Sequence, residues 1–321
     1  QRVMERLDIV PDEQTQQDIC LLIYHTVLAS RLNRLWNLWN MLTVYMSIRM
    51  RLFMSVDFVN QIICGECEQV IKAIPDNSID MIFTDPPYGH NNNNGDLISR
   101  WEAALGRGDY VPERDNRPIA NDGKEAEELF KLLLPEFNRV MIPGGVCCCC
   151  CGGGGPDPMF ARWSLYMDEI FNFKQMIVWD KGPMGMGWHY RRSYETVLVG
   201  VKRGAKVKWH DDSKRIENII RHIGKIIPSK DQHPTQKPVE LAEWFINLHS
   251  LPNEIILDPF CGSGSTLLAA IKTNRRFIGI DISQEYCELA RKRINNLLNQ
   301  QSLDFGNNVK YEMIEAVSHE C

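Results

Sequence analysis

The tetrad Asp85-Pro86-Pro87-Tyr88 closes an apolar run, Ile79 to Thr84. Asp85 precedes a proline and is therefore held extended. Pro86 and Pro87 fix φ and remove two N–H donors, which leaves rigidly aimed carbonyls. A carboxylate, a fixed carbonyl and an aromatic ring together suit a planar exocyclic amine. Asp85 and the Pro86 carbonyl each accept one N–H, and Tyr88 stacks on the ring that bears the amine. The same four residues also make a rigid proline turn with a capping aspartate, so the tetrad alone does not decide.

A second loop carries complementary chemistry. The apolar run Ile255 to Leu257 leads into Asp258-Pro259-Phe260-Cys261-Gly262-Ser263-Gly264, and helical spacing follows. Gly262 and Gly264 permit a tight turn and close backbone approach to a ligand. The helix start offers N–H groups. Asp281 stands at the tip of the next apolar run, Phe277 to Ile280, where a carboxylate can accept both hydroxyls of a ribose. The third glycine of the pyrophosphate fingerprint is missing, which points to a nucleoside without phosphates rather than a dinucleotide. Ligands of open α/β sheets sit at the carboxyl ends of strands, so both loops can face one crevice.

These loops need strands to carry them and helices to receive them. Phe58–Cys64, Ile79–Thr84, Val146–Cys151, Met176–Trp179, Thr196–Val201, Ile255–Leu257 and Phe277–Ile280 are apolar runs of strand length. Glu66–Ile74, Glu125–Arg139, Met159–Phe171, Val239–His249, Leu267–Lys272 and Glu285–Leu298 have helical spacing. Alternation of the two predicts an α/β fold: a doubly wound, mostly parallel Rossmann-like sheet with helices on both faces. Residues 1–53 stand apart as a helical extension. Their Trp36/Trp39 stripe either covers the main domain or pairs with a second subunit.

Composition excludes several classes. The 321 residues are 44% hydrophobic and 24% charged, with a net charge of −5, so the chain is neither disordered nor a polycation. The apolar stretch Ile19 to Ser30 has 12 residues and includes His25, short of the roughly 20 needed for a membrane span. The opening residues do not read as a signal peptide. Eleven cysteines, five of them consecutive from Cys147 to Cys151, make a poor disulfide framework and fit a reducing cytoplasm. The run reads as a buried central strand. Cys64-x-x-Cys67 lacks a second well-spaced pair, so no metal is expected. Between Lys181 and Lys230, twelve Lys and Arg face four Asp and Glu, a local net of +8 in an acidic protein.

The tetrad and the Asp258–Gly264 loop resemble the two signature motifs of amino-group DNA methyltransferases. His233-Pro234-Thr235-Gln236-Lys237-Pro238 resembles the segment that precedes the cofactor motif there. Ile63-Cys64-Gly65-Glu66-Cys67 resembles the family's Gly-Asp segment, with Glu66 replacing Asp. The catalytic motif comes first and the cofactor motif last, the permuted order of the prokaryotic or phage β class. The resemblance covers roughly residues 54 to 300.

It implies a catalytic half over 54–202, a target-recognition segment over 203–232, a cofactor half over 233–300 and a tail over 301–321. It implies methylation of the N6 amine of adenine in duplex DNA, with the base flipped out onto Asp85, Pro86, Pro87 and Tyr88. Asp rather than Ser at the head of the tetrad leans the choice from cytosine N4 to adenine N6. S-adenosyl-L-methionine is the implied cofactor: Asp281 on the ribose, Phe260, Gly262 and Gly264 beneath the methionine portion, and Asp258 on the loop or the ammonium. Glu66 also belongs to this group. Thr235 and Lys237 meet the methionine end or brace the loop. Arg191, Arg192, Lys206 and Lys208 are the implied DNA contacts. The Asn91–Gly95 loop either closes over the flipped base or is a surface loop. The rival readings are an N4-cytosine enzyme, an RNA or protein-glutamine methyltransferase, and a non-catalytic DNA-binding protein. A homodimer through the N-terminal helix or the main domain is one expectation. The family's setting is restriction–modification, and whether a restriction nuclease accompanies this chain stays open.

Overall fold

A computed structural model describes residues 58–90, 119–152, 158–182, 190–226 and 236–305. The chain separates into two units, Gln1–Met54 and Ser55–Cys321. The first lies outside the described residues, and with it the expected helical extension; so do the Asn91–Gly95 loop and the tail beyond 305.

In chain order the elements are β1 (Gln61–Cys64), α1 (Cys67–Ala73), β2 (Ile79–Thr84), α2 (Glu125–Val140), β3 (Met141–Cys151), α3 (Met159–Ile170), β4 (Asn172–Asp180) and β5 (Tyr194–Val201). Then come β6 (Ile219–Ile220), α4 (Val239–His249), β7 (Ile255–Asp258), α5 (Ser265–Lys272), β8 (Arg276–Asp281) and α6 (Gln284–Phe305). One eight-stranded sheet has the order β1-β8-β7-β2-β3-β5-β4-β6. All neighbours pair parallel except β5, which runs antiparallel between β3 and β4. The expected α/β fold with a mostly parallel sheet is what the chain forms.

Side-chain alternation along β3 shows how the two layers are built. Cys147, Cys149 and Cys151 join the cluster that includes Ile71 of α1, Phe130 and Phe137 of α2, and Trp163 of α3. Cys148 and Cys150 join the opposite cluster, with Leu241 and Phe245 of α4 and Leu267 of α5. Each thiol is at most 1% exposed, so the cysteine run serves as small apolar filling in a strand covered on both sides. The Phe130 and Trp163 rings stack at 3.9 Å and tie α2 to α3. Three glutamates in the first turn of α2 suit its positive end.

β3 begins earlier than the run Val146–Cys151 predicts. Met141 pairs with Ile79, then the register slips so that Val146 pairs with Met81. The irregularity absorbs Pro143 and Gly144, which a regular central strand does not accommodate. β6 falls inside the polar 202–231 region, where two isoleucines alone carry no strand signal.

Candidate active site

β2 and β7 are neighbours at the centre of the sheet. From β2 the chain crosses to β3 on one side, and from β7 to β8 on the other. Their carboxyl ends therefore frame the switch point, where a crevice opens in such sheets. The Thr84 hydroxyl donates to Asp258 Oδ1 at 2.8 Å and locks the two strand ends together. Asp258 also accepts the Phe260 N–H at 3.1 Å. Burial drives its carboxyl up to about 7 against the pull of its Thr266, Thr84 and Phe260 donors. Of the two roles expected for Asp258, the structure displays loop orientation.

The tetrad loop is fastened by a residue that the sequence does not point to. Asp122, buried, accepts the backbone N–H groups of Tyr88, Gly89 and His90 at 2.9, 2.8 and 3.2 Å through one oxygen. It stands in the polar stretch after the tetrad, and only tertiary structure brings it back.

Asp85 does not stand alone. Its Oδ1 accepts the Tyr88 hydroxyl and its Oδ2 accepts Lys237 Nζ at 2.5 Å. The same ammonium lies 3.2 Å from Glu195 Oε2, and Lys181 Nζ lies 2.9 Å from Glu195 Oε1. The result is a line of alternating charge, Asp85–Lys237–Glu195–Lys181. Burial pushes the Asp85 carboxyl above its ordinary range and Glu195 adds to the push, while Lys237 and Tyr88 pull the other way. Burial works against Glu195 too, but Lys237 and Lys181 hold it at about 2. Against burial, Asp85 and Glu195 hold the Lys237 ammonium above its usual range. Burial and then Asp85 raise the Tyr88 phenol. The Lys237 ammonium also sits 5.2 Å from the centre of the Tyr88 ring. The resemblance puts Lys237 on the cofactor side, and the structure places it on the tetrad carboxylate instead. The glutamine beside it braces the other loop: Ser263 Oγ donates to Gln236 at 3.2 Å. Thr235 lies outside the described residues.

The second loop leads from β7 into α5. Gly262 and Gly264 take positive φ, +48° and +80°. A Cβ on Gly264 would lie 2.9 Å from the Ala290 Cβ of α6, so only glycine permits this approach. Asp281, at the tip of β8, accepts the N–H of Gly262 at 2.8 Å and of Ser283 at 2.9 Å, one on each oxygen. Burial raises its carboxyl, against those two donors. A carboxylate offers about four acceptor positions, so two remain for a ribose diol. Glu66 is exposed on the same rim, since the Gly65 N–H donates to the Asp281 carbonyl at 2.9 Å. Together with Phe260, half-buried on the loop, these residues fit a nucleoside with an uncharged sugar.

The basic region divides between the two ends of the sheet. Thr196 pairs with Cys151 at the carboxyl end of β3, so Arg191 and Arg192, just ahead of β5, stand on the crevice side. The chain then leaves β5 at the far end. There Lys208 is spent on Asp80 at 2.9 Å and on Glu254, and the Lys206 carbonyl abuts Gly144. The structure therefore does not bring Lys206 and Lys208 to the crevice; a charge count cannot tell which end of a sheet a loop crosses. β6 pairs parallel with β4 and returns the segment to the crevice end, with Arg221, His222 and Lys225 nearby in the chain.

Cys64 is exposed and Cys67 buried, so the two thiols do not share an outlet; burial pushes Cys67 up to about 12. Among the described residues no cluster of three or more His, Cys, Asp or Glu could hold a metal ion, and no helix is long and apolar enough to cross a membrane.

Known proteins resemble this chain in sequence and fold. A family model described as DNA methylase, of N6 and N4 type, matches residues 79–292. The DNA adenine methyltransferase YhdJ of Escherichia coli (strain K12) is 27% identical over 73% of this chain and 82% of that protein. The crystal structure of the M1.HpyAVI–SAM complex is similar at a TM-score of 0.51 and 29% identity, over 73% of this chain and 98% of that one. The cytosine-N4-specific PvuII DNA methyltransferase shares the fold, with a TM-score of 0.55 at 18% identity, over 74% of this chain and 91% of that one.

Proposed function

The chain belongs to the N6/N4 DNA methylase family, a family of S-adenosylmethionine-dependent enzymes acting on DNA, and within it we propose that it methylates the N6 amine of adenine in duplex DNA. The observation that carries this reading is the junction of Thr84 and Asp258, which sets the Asp85 carboxylate and the Gly262–Gly264 loop at adjoining strand ends. When bound, S-adenosylmethionine supplies a methyl group on a positively charged sulfonium. Asp281, Phe260, Gly262 and Glu66 hold it on the β8–β7 side.

Asp85 acts on the target amine. An aromatic amine is a poor nucleophile because its lone pair is delocalised into the ring. Acceptance of its N–H groups by Asp85 and the Pro86 carbonyl favours a tetrahedral nitrogen and localises the pair. Asp85 has room for this bond beside Tyr88 and Lys237, since each carboxylate oxygen accepts twice. Its burial-raised basicity suits it to take the proton that the methylated nitrogen gives up. The rate then derives from orientation and fixed electrostatics rather than from a covalent enzyme intermediate. A base inside a duplex cannot reach a carboxylate at a strand end, so the adenine is flipped out. Arg191 and Arg192, on the crevice side, are the proposed phosphate contacts. Nine free cysteines among the described residues support a reducing cytoplasm as the working compartment.

The preference for adenine rests on Asp at the head of the tetrad and on a relative named as a DNA adenine methyltransferase. Cytosine N4 offers Asp85 the same amine chemistry. Mass spectrometry of nucleosides from DNA treated with the protein and cofactor separates them: N6-methyladenine is expected, and N4-methylcytosine as sole product overturns the base assignment. Asp85→Ala is expected to keep cofactor and DNA binding while losing methyl transfer.

A further inference from the structure

We propose that Glu195 is a positioning residue for Asp85: from β5 it shares the Lys237 ammonium with Asp85 and keeps that ammonium from neutralising the carboxylate that must hold the amine. The inference rests on the reaction proposed above. Four segments converge to build the arrangement: the loop after β2, the segment ahead of α4, β5, and the end of β4, which Lys181 follows. The ammonium lies 2.5 Å from Asp85 and 3.2 Å from Glu195. Lys181, at 2.9 Å on the other oxygen, keeps Glu195 paired on its far side.

The effect is electrostatic. A lone ammonium against a buried carboxylate makes a tight pair, and a carboxylate so paired is a weaker acceptor for a neutral amine. A second carboxylate on the same ammonium divides its charge. Burial keeps Asp85 basic, Lys237 offsets part of that burial, and Glu195 offsets part of Lys237. Other titratable groups around Asp85 are Tyr88 on its own loop, Cys150 and Cys151 of β3 and Asp258 of β7. His90, two residues after Tyr88, is within electrostatic reach of Glu195, Lys237 and Arg192, and burial lowers its imidazole from the ordinary range. Of the charged groups, Lys237 and then Glu195 act most strongly on Asp85, so these two set the balance.

The two partners should therefore act on Asp85 with opposite sign. In single-turnover methyl transfer measured against pH, Glu195→Gln removes a like charge and moves the acid limb to lower pH by about one unit. Lys237→Gln removes the counter-ion and moves it to higher pH. The plateau rate of Glu195→Gln falls about tenfold, less than the 10²–10⁴-fold typical of a group that itself transfers the proton. Cofactor affinity by calorimetry stays within about twofold. If Glu195→Gln does not fold, Glu195→Asp, which withdraws the charge by one methylene, gives a smaller shift of the same sign. A folded Glu195 variant with an unchanged limb and rate, or limbs that move the same way in both variants, overturns the assignment. Retained transfer in Asp85→Ala overturns the proposed reaction itself; loss there with a silent Glu195 overturns only this inference.

Discussion

Replacing Asp258 by asparagine tests whether burial sets the protonation of the residue that joins the two loops. Asp258 is 3% exposed, and its carboxyl lies at about 7, against an ordinary value of 3.8. Between those values the folded chain retains a proton that the unfolded chain has released. Stability therefore falls as pH rises through this window, and levels off above about 7. Roughly three pH units at about 1.4 kcal/mol each put the loss at about 4 kcal/mol. Asparagine has nearly the same shape, keeps one oxygen for the Thr84 hydroxyl and the Phe260 N–H, and cannot ionise. Urea unfolding of both proteins from pH 4.5 to 8 is the assay. The difference between them cancels the titration of Asp85, Asp281 and Glu195, which both share. It should move in favour of Asp258→Asn by about 3–4 kcal/mol across the range. A difference that stays flat with pH would overturn this account. It would mean that the Thr84, Thr266 and Phe260 donors keep Asp258 ionised despite its burial.

Asp281→Ala should weaken S-adenosylmethionine binding by about 1.5–3 kcal/mol, the value of hydrogen bonds to a charged group; calorimetry at unchanged affinity would remove Asp281 from the cofactor site. Asp122→Ala deprives three backbone N–H groups of their acceptor, so amide exchange at Tyr88, Gly89 and His90 should accelerate at least about tenfold, with a fall in turnover. Neutralising Arg191 and Arg192 should weaken DNA binding and flatten its salt dependence, by roughly 0.9 slope units for each phosphate left without its cation. Lys208→Met should leave that slope unchanged and instead destabilise the fold by about 2–3 kcal/mol, because Asp80 and Glu254 are deprived of their shared cation.

The residues that are legible in the sequence share one property: their position follows from a few neighbours in the chain. Asp85, Asp258 and Asp281 each end an apolar run, and a carboxylate at a strand tip is placed by the strand alone. The cysteine run is legible for the same reason, since five consecutive small apolar residues suit a strand covered on both faces. Glu195 and Asp122 have no such local mark. Each is a carboxylate amid ordinary residues, and each acquires its role through a partner brought over by the sheet. The Lys237–Asp85 pair spans 152 positions. Resemblance places Lys237 with the cofactor because its motif adjoins that loop in the chain. The fold instead carries it across β2 and β7 to the tetrad, while Gln236, one residue earlier, stays with the loop. The basic region misleads differently. Its +8 charge is real, but sign and number are properties of composition, whereas facing DNA is a property of direction. β5 reverses against β3, so residues a few positions apart around it sit at opposite ends of the sheet. One antiparallel strand thus decides which cations stand at the crevice end. It also decides that Glu195, near the start of β5, arrives at the crevice end, beside the ammonium that Asp85 needs.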